Sequence, residues 1–179
     1  MPRYDAQEAS HYFEDGRAMR PPVEGTMPQE MIVDLEIAEG IDDTGSYVMT
    51  IPQPIIRDAG GMDALLARGH GRFDIYCSPC HAYAGDGQGM ITRRAEAIGA
   101  TFAAANLHDD RIRHLPDGQV YATIANGIRT MPAYRAQIPV ADRWAIVAYL
   151  RALQLSQSGE RSASLRQQTA EPAPTEAIR

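Results

Sequence analysis

Two cysteines and a histidine stand close enough in this sequence to act on one ligand. Residues 77–81 read C-S-P-C-H, and Cys77 and Cys80 are the only cysteines of the chain. In a C-x-x-C-H pattern, two thiols from one helical turn can each form a thioether to a porphyrin edge, and the histidine that follows can ligate the iron. The pattern therefore predicts one covalently attached haem c, with His81 as an iron ligand.

Two other chemistries use paired cysteines, and the surrounding sequence favours neither of them. A thioredoxin-like redox motif follows a hydrophobic strand in a βαβ pattern, whereas residues 63–76 have the apolar spacing of a helix. A structural zinc site needs a second pair of ligands such as another C-x-x-C, and no further cysteine is present. A chance occurrence of the pattern is the remaining alternative.

A methionine before a proline is the predicted second iron ligand. Pro132 disfavours helical backbone at Met131, so the methionine should lie in an extended loop. Such a loop projects a thioether from a rigid backbone, which suits an axial ligand of haem iron. We therefore predict that His81 and Met131 bind the metal from opposite sides.

Other methionines and histidines are alternatives to this ligand. Met90 is the second choice among the methionines, although it follows the cysteines closely in sequence. An iron with two histidine ligands would use His108 or His114, which lie in a strongly charged stretch. Candidates for contacts with the haem propionates, by position and chemistry, are Arg129, Tyr134 and Arg135.

Apolar periodicity predicts an all-α fold around these residues. Helices are expected over residues 63–76, from Asp117 or Gly118 to Gly127, and over residues 141–155. Gly69 lies inside the first helix, where glycine costs about 1 kcal/mol relative to alanine. We therefore expect another helix to approach closely at Gly69. The glycine-rich residues 85–89 predict a tight loop at the haem edge.

The N-terminal third of the chain differs in charge from the rest. Residues 1–60 carry 12 acidic and 4 basic side chains, a net charge of −8, and many prolines, whereas the remaining residues carry +2. We predict an extended arm over residues 1–60, a haem domain over 61–155 and a flexible tail over 156–179. Residues 31–37 alternate loosely, which predicts a short strand. The apolar residues of the arm favour docking on a partner surface.

Composition and hydropathy exclude some classes of function. The net charge of the 179 residues is −6, which argues against nucleic-acid binding. No apolar run approaches the roughly 20 residues that span a bilayer. No signal peptide is recognisable, although haem c is attached outside the bacterial cytoplasm. We therefore expect an export segment upstream of this sequence.

Residues 66–153 resemble a small class I cytochrome c. The resemblance is carried by the C-x-x-C-H motif, the Gly-Asp-Gly loop, Met131-Pro132 and the helix around Trp144. More specifically, the chain is similar to the monohaem cytochrome c subunit of bacterial alternative complex III, a membrane-bound quinol-oxidising respiratory complex. That similarity includes residues 10–16 (SHYFEDG), 20–21 (RP), 25–26 (GT), 75–81 (IYCSPCH) and 143–149 (RWAIVAY).

The sequence departs from the family in three places. The family usually has an Arg-Gly pair soon after the Gly-Thr, where this chain has Met27-Pro28-Gln29, and Ala82 replaces the usual glycine after the haem histidine. Members are often anchored by a lipid on a cysteine upstream of a segment like residues 1–4, and no such cysteine is present.

The resemblance implies an electron-transfer subunit and not an enzyme. Electrons would come from a multihaem cytochrome subunit and pass to an oxidase or a soluble cytochrome. The arm would bind other subunits on the periplasmic side of the inner membrane, where the chain is expected to be peripheral or lipid-anchored. Alternatives are a stand-alone periplasmic cytochrome c, a haem subunit of another dehydrogenase or oxidase complex, a haem peroxidase with Met131 displaced, and an assembly protein.

Overall fold

The computed structural model describes His11, Glu14 and residues 34–157. Within this part of the chain the secondary structure is helical, with two isolated β-bridges and no strand. The prediction of an all-α fold is confirmed. The eight helices of the described residues are α1 (Leu35–Ala38), α2 (Gln53–Asp58), α3 (Met62–Tyr76), α4 (Ser78–His81), α5 (Met90–Ala97), α6 (Asp110–Arg113), α7 (Asp117–Asn126) and α8 (Val140–Ser156).

Helices α3 and α8 form the main contact of the fold, and Gly69 lies where they cross. A Cβ atom at Gly69 would collide with the carbonyl oxygen of Ala145 and would lie 2.9 Å from the Cβ of Tyr149. Only glycine allows the two backbones to approach this closely. The predicted close approach of another helix at Gly69 is confirmed.

A buried carboxylate ties the same two helices together. Asp142 of α8 is only 4% exposed, and it forms ion pairs with the Nε atoms of Arg68 and Arg72 on α3, the latter at 2.9 Å. The two arginines are four residues apart and therefore lie on one face of α3. Because a buried carboxylate left without a partner is strongly destabilising, this arrangement fixes the register of the crossing.

The core is completed by an aromatic pair between α7 and α8. The rings of Tyr121 and Trp144 stack with centroids 4.4 Å apart, and the guanidinium of Arg143 lies 4.7 Å from the centre of the Tyr121 ring. Burial of these large side chains contributes most of the hydrophobic stabilisation here. The fully buried large side chains of the described residues are Leu65, Phe73, Tyr121, Ile138, Trp144, Ile146 and Val147.

Residues 34–59 pack on the helices, so the boundary predicted after residue 60 needs correction. Trp144 Nε1 and the Tyr121 hydroxyl each donate a 2.8 Å hydrogen bond, to the carbonyl oxygens of Ile37 and Ala38 respectively. The compact unit that contains the helices includes the described residues 34–59. The polar and proline-rich composition concealed the few buried side chains, Ile37, Ile51 and Ile55, that attach this segment.

The predicted strand over residues 31–37 also needs correction. Residues 31–33 lie outside the described part, and α1 begins at Leu35. The Asp34 carboxylate accepts hydrogen bonds from the backbone N–H groups of Glu36 and Ile37, which is the usual action of an N-cap aspartate. The rest of the predicted arm, residues 1–33 apart from His11 and Glu14, and most of the predicted tail, residues 158–179, also lie outside the described residues.

None of the helices within residues 34–157 is both long enough and apolar enough to cross a lipid bilayer.

Candidate haem-binding site

The C-x-x-C-H residues are presented by the end of α3 and the single turn of α4. Cys77 ends α3, and the N–H groups of Cys80 and His81 both donate to the carbonyl oxygen of Cys77, at 3.1 and 2.8 Å. Ser78 Oγ donates to the carbonyl oxygen of Asp74 at 2.7 Å and joins the two helices. Both cysteines are free and partly exposed. Two thiols and an imidazole therefore lie on one helical turn, as the motif requires.

The thiols are unsuited to thiolate chemistry. Burial, followed by the neighbouring Cys80 and Asp74, raises the pKa of Cys77 to about 12, and burial also raises the pKa of Cys80. Redox-active cysteines need the opposite, a lowered pKa. Among the described residues no cluster of three or more His, Cys, Asp or Glu could hold a metal ion. These findings disfavour the thioredoxin-like and zinc alternatives.

The orientation of His81 is set by a backbone group far away in sequence. His81 Nδ1 donates a 2.9 Å hydrogen bond to the carbonyl oxygen of Ala105. Because Nδ1 is the donor, Nε2 is the nitrogen left to coordinate a metal, and such a second-shell bond is the usual support of a ligating histidine. Burial lowers the pKa of His81, with the Ala105 hydrogen bond acting in the opposite direction. The neutral imidazole that iron needs is therefore favoured.

The segment that carries Ala105 is fastened to the loop after His81. Leu107 N–H donates to the carbonyl oxygen of Gly85 at 2.7 Å, and His108 Nε2 donates to that of Ala84 at 2.6 Å. At Gly87, a Cβ atom would lie 2.6 Å from the carbonyl oxygen of Ala104. The loop and the segment therefore hold each other in place, and they hold the acceptor of the His81 ring.

The last glycine of the loop packs against the motif itself. Gly89 N–H donates to the carbonyl oxygen of Cys80 at 3.1 Å, and Thr92 Oγ1 donates to the same oxygen at 3.0 Å. A Cβ atom at Gly89 would lie 2.5 Å from the carbonyl oxygens of Cys80 and Pro79. The glycine is needed because the chain crosses the backbone of α4 in direct contact. Whether the loop also covers a haem edge stays a prediction.

Met131 lies in the loop between α7 and α8, half-buried. The N–H of Met131 donates to the carbonyl oxygen of Ile128 at 2.9 Å, and the Ile128 N–H donates back at 3.1 Å, which makes a tight turn. The ring of Tyr134 contacts the ring of Tyr76 edge-on at 6.4 Å. Burial raises the pKa of Tyr134, and the nearby thiols Cys80 and Cys77 raise it further. The structure thus brings the Met131 loop to the side of the cysteines.

The alternative ligands are placed less favourably. Met90 is 73% exposed and begins α5 directly after Gly89. The Nε2 atom of His108 is engaged by the carbonyl oxygen of Ala84, and His114 is exposed, with its Nδ1 atom 2.6 Å from the carbonyl oxygen of Asp110. The ligand assignment to His81 and Met131 stays a prediction that this placement supports.

The three candidates for contacts with the haem propionates stay predictions. Arg135 donates two hydrogen bonds of 2.7 Å to the Glu39 carboxylate, so its guanidinium is already engaged. Arg129 is exposed and has a positive φ of 52°, a conformation that non-glycine residues seldom adopt. Tyr134 lies beside the cysteines.

Sequence patterns missed several residues that build the site. Ala105 acts through its carbonyl oxygen, which no side-chain pattern reveals. The charged stretch around His108 predicts a solvated side chain, but the Nδ1 atom of His108 is buried and without a hydrogen-bond partner. Glu39 was assigned to the arm.

One groove among the described residues lies away from these side chains. It has a volume of about 400 Å³ and is bordered by Ile51, Ile56, Leu66, Ala148 and Leu155. None of the four predicted haem residues lines it, so it is a separate feature of the surface.

Comparison with known proteins supports the same chemistry. Residues 64–150 match the family model described as cytochrome c oxidase, cbb3-type, subunit III. The match covers slightly less than half of the chain and includes Cys77, Cys80, His81 and Met131. No curated protein matches the sequence significantly. Residues 64–150 are therefore similar to a cytochrome c-type domain, and domains of this type bind haem and transfer electrons.

Proposed function

We propose that this protein is an electron-transfer cytochrome c with one haem c attached to Cys77 and Cys80 and ligated by His81 and Met131. The observation that carries the proposal is the hydrogen bond from His81 Nδ1 to Ala105, which leaves Nε2 for iron beside two free thiols on one turn. The residues present fit a haem c because two thiols for attachment and an imidazole nitrogen for the iron lie on one helical turn. The thioredoxin-like and zinc alternatives are disfavoured.

The haem would supply a one-electron redox couple. The protein's part is to hold and tune that group. Cys77 and Cys80 would keep it attached, His81 would remain neutral and oriented through Ala105, and Met131 would supply a thioether that favours the reduced state and raises the potential. None of these residues has to move a proton or bind a substrate. Electron transfer needs neither, because only an electron enters and leaves the haem.

The absence of an enzymatic role is part of the proposal. With a histidine and a methionine on the iron, no coordination position is open for a substrate. A peroxidase would need Met131 displaced and an acid or base beside the open position. The absorption band of methionine-to-iron charge transfer separates the two functions, because a carrier has this band and an open site lacks it.

We further propose that the protein is the monohaem subunit of a bacterial alternative complex III. The support is the resemblance of residues 10–26 to that family, which lies outside the described residues except at His11 and Glu14. In this complex the N-terminal arm would bind other subunits, a multihaem cytochrome would donate electrons, and an oxidase or soluble cytochrome would accept them. The protein would work on the periplasmic side of the inner membrane, peripheral or lipid-anchored.

A second complex is favoured by one observation, the description of the matched family as a subunit of a cbb3-type oxidase. That description belongs to the family, and the match leaves out residues 1–63. Isolation of the native membrane complex distinguishes the two. Quinol oxidation by an assembly with a multihaem cytochrome supports alternative complex III, whereas oxygen reduction by the same assembly supports an oxidase.

The first experiment is a pyridine haemochrome spectrum of protein expressed with the cytochrome c maturation machinery. A spectrum typical of haem c, retained after denaturation and acid-acetone extraction, is the expected result. A colourless protein, or a haem removed by extraction, would contradict covalent attachment.

A further inference from the structure

The loop that carries Met131 is fixed at both ends to the last turn of α7. Gly127 begins it with a positive φ of 74°. At its other end, the N–H groups of Tyr134 and Arg135 donate to the carbonyl oxygens of Ile124 and Ala125, at 3.0 and 3.1 Å. Between these ends, Met131 is bonded to Ile128 within the loop itself. The position of Met131 therefore depends on how firmly Arg135 is held.

The side chain of Arg135 is held in three places. Its two terminal nitrogens each donate a 2.7 Å hydrogen bond to one oxygen of Glu39, and Nη2 also donates to Asn126 Oδ1 at 3.0 Å. A bidentate pair of this kind fixes orientation as well as distance. Arg135 thus joins the Met131 loop to a residue that lies 96 positions earlier in the chain.

Glu39 is a fixed point because the backbone on either side of it is held by buried residues. The carbonyl oxygens of Ile37 and Ala38, just before it, accept from Trp144 and Tyr121. Gly40, just after it, packs directly on the backbone of Gly118 and accepts a hydrogen bond from Val48 N–H. The carboxylate is therefore supported by α7 and α8, the two helices that the Met131 loop connects.

We propose that Glu39 and Arg135 are a positioning pair for Met131. This inference rests on the proposed function, in which Met131 is an iron ligand. Neither residue is a proposed ligand of the iron; together they hold the loop so that the thioether stays in reach. The side chains are 46% and 37% exposed, for Arg135 and Glu39 respectively. Loss of this partly exposed pair is therefore expected to make the loop open severalfold more often, while the protein still folds.

The test uses the haem-loaded full chain and the variants Glu39→Gln, Arg135→Gln and the double variant. The rate of imidazole binding to the ferric protein reports how often the methionine leaves the iron. We expect this rate to rise about fivefold in each single variant. The double variant should show the same rise as Arg135→Gln, because loss of the Arg135 guanidinium already removes both the pair with Glu39 and the bond to Asn126. The rate in Arg135→Lys should lie between those of the unmodified protein and Arg135→Gln, since lysine keeps the charge but lacks the bidentate geometry.

Asp117→Asn is the matched control. Asp117 and Arg151 form a 2.7 Å ion pair between α7 and α8 that is more buried than Glu39–Arg135 and does not involve the Met131 loop. This variant should lower the free energy of unfolding and leave imidazole binding unchanged. An equal rise in the control, or no rise in the Glu39 and Arg135 variants, would overturn the positioning role.

A second measurement separates this inference from the proposed function. Should the unmodified protein lack the methionine charge-transfer band, the ligand assignment fails, whatever the variants do. Amide hydrogen exchange at Met131, Tyr134 and Arg135 in the same samples still tests the pair. Exchange at least severalfold faster in Glu39→Gln than in Asp117→Asn supports the role, and equal exchange rejects it.

Discussion

The ring of His81 and the carbonyl oxygen of Ala105 are joined by a 2.9 Å hydrogen bond that spans 24 residues of sequence. Ala105 has no side-chain group for this purpose and depends on its neighbours for its position. His108 and Leu107 fasten the same segment to the loop after His81. Support of this kind fixes both the ring orientation and the tautomer of a ligating histidine.

Replacing His108 with alanine should therefore weaken this support. The variant loses the donor to the carbonyl oxygen of Ala84, which keeps only the 3.0 Å bond from Gln157. We expect the free energy of unfolding to fall by about 1 kcal/mol, the net value of one hydrogen bond, as measured by denaturant titration. His114→Ala is the control, because His114 is exposed and bonds only within its own turn. Equal losses in the two variants would contradict the role of His108.

Met131→Ala should open one coordination position of the haem iron. The methionine charge-transfer band should disappear, the midpoint potential should fall because the thioether no longer favours the reduced state, and carbon monoxide should bind to the reduced protein. Met90→Ala should change none of these, since Met90 is 73% exposed at the start of α5. An unaltered spectrum of Met131→Ala would move the ligand to Met90 or to a histidine.

Cys77→Ala should leave the haem attached through a single thioether. The reduced haem then keeps one vinyl group in conjugation, and the absorption band in the pyridine assay should shift to longer wavelength. Cys80→Ala should give the same shift, and the double variant should lose its haem on extraction. A spectrum in Cys77→Ala identical to that of the unmodified protein would reject attachment at this residue.

Ala82→Gly should stabilise the protein, although it adds a flexible residue. Ala82 has φ 63° and ψ 164°, a region that only glycine adopts readily and that costs other residues about 1–3 kcal/mol. Relief of this strain should exceed the entropic cost of glycine, about 0.5–1 kcal/mol. Ala84→Gly in the same loop is the control and should be destabilising, because Ala84 has no positive φ. Loss of stability in both variants would show that Ala82 is unstrained.

The Glu39–Arg135 pair should make stability depend on pH in acid. The hydrogen bond from Arg135 is the main cause that holds the pKa of Glu39 below its usual range. The stabilisation is therefore complete above the pKa of an unpaired glutamate and is lost as the pH falls through the lowered value. At neutral pH the free energy of unfolding of the unmodified protein should exceed that of Glu39→Gln by about 0.5–1 kcal/mol. In acid the two free energies should converge. A difference that persists in acid would contradict this origin.

Local patterns predicted much of the fold. The helix predicted over residues 63–76 begins at Met62, and the one predicted from Asp117 to Gly127 is capped by Gly127. These predictions succeeded because apolar spacing and glycine act within a few residues. Gly69 even predicted a partner helix. The boundary after residue 60 failed because three isoleucines in a polar, proline-rich segment are too few to show a period.

The sequence by itself determined the chemistry that this protein can offer. Two thiols and an imidazole on one turn, and a methionine before proline, follow from residue type and spacing, because these relations lie within one turn or one loop. Only the tertiary structure decided which backbone oxygen orients His81 and which carboxylate holds the Met131 loop. Those contacts join residues 24 and 96 positions apart, and they form only when helix packing brings distant segments together.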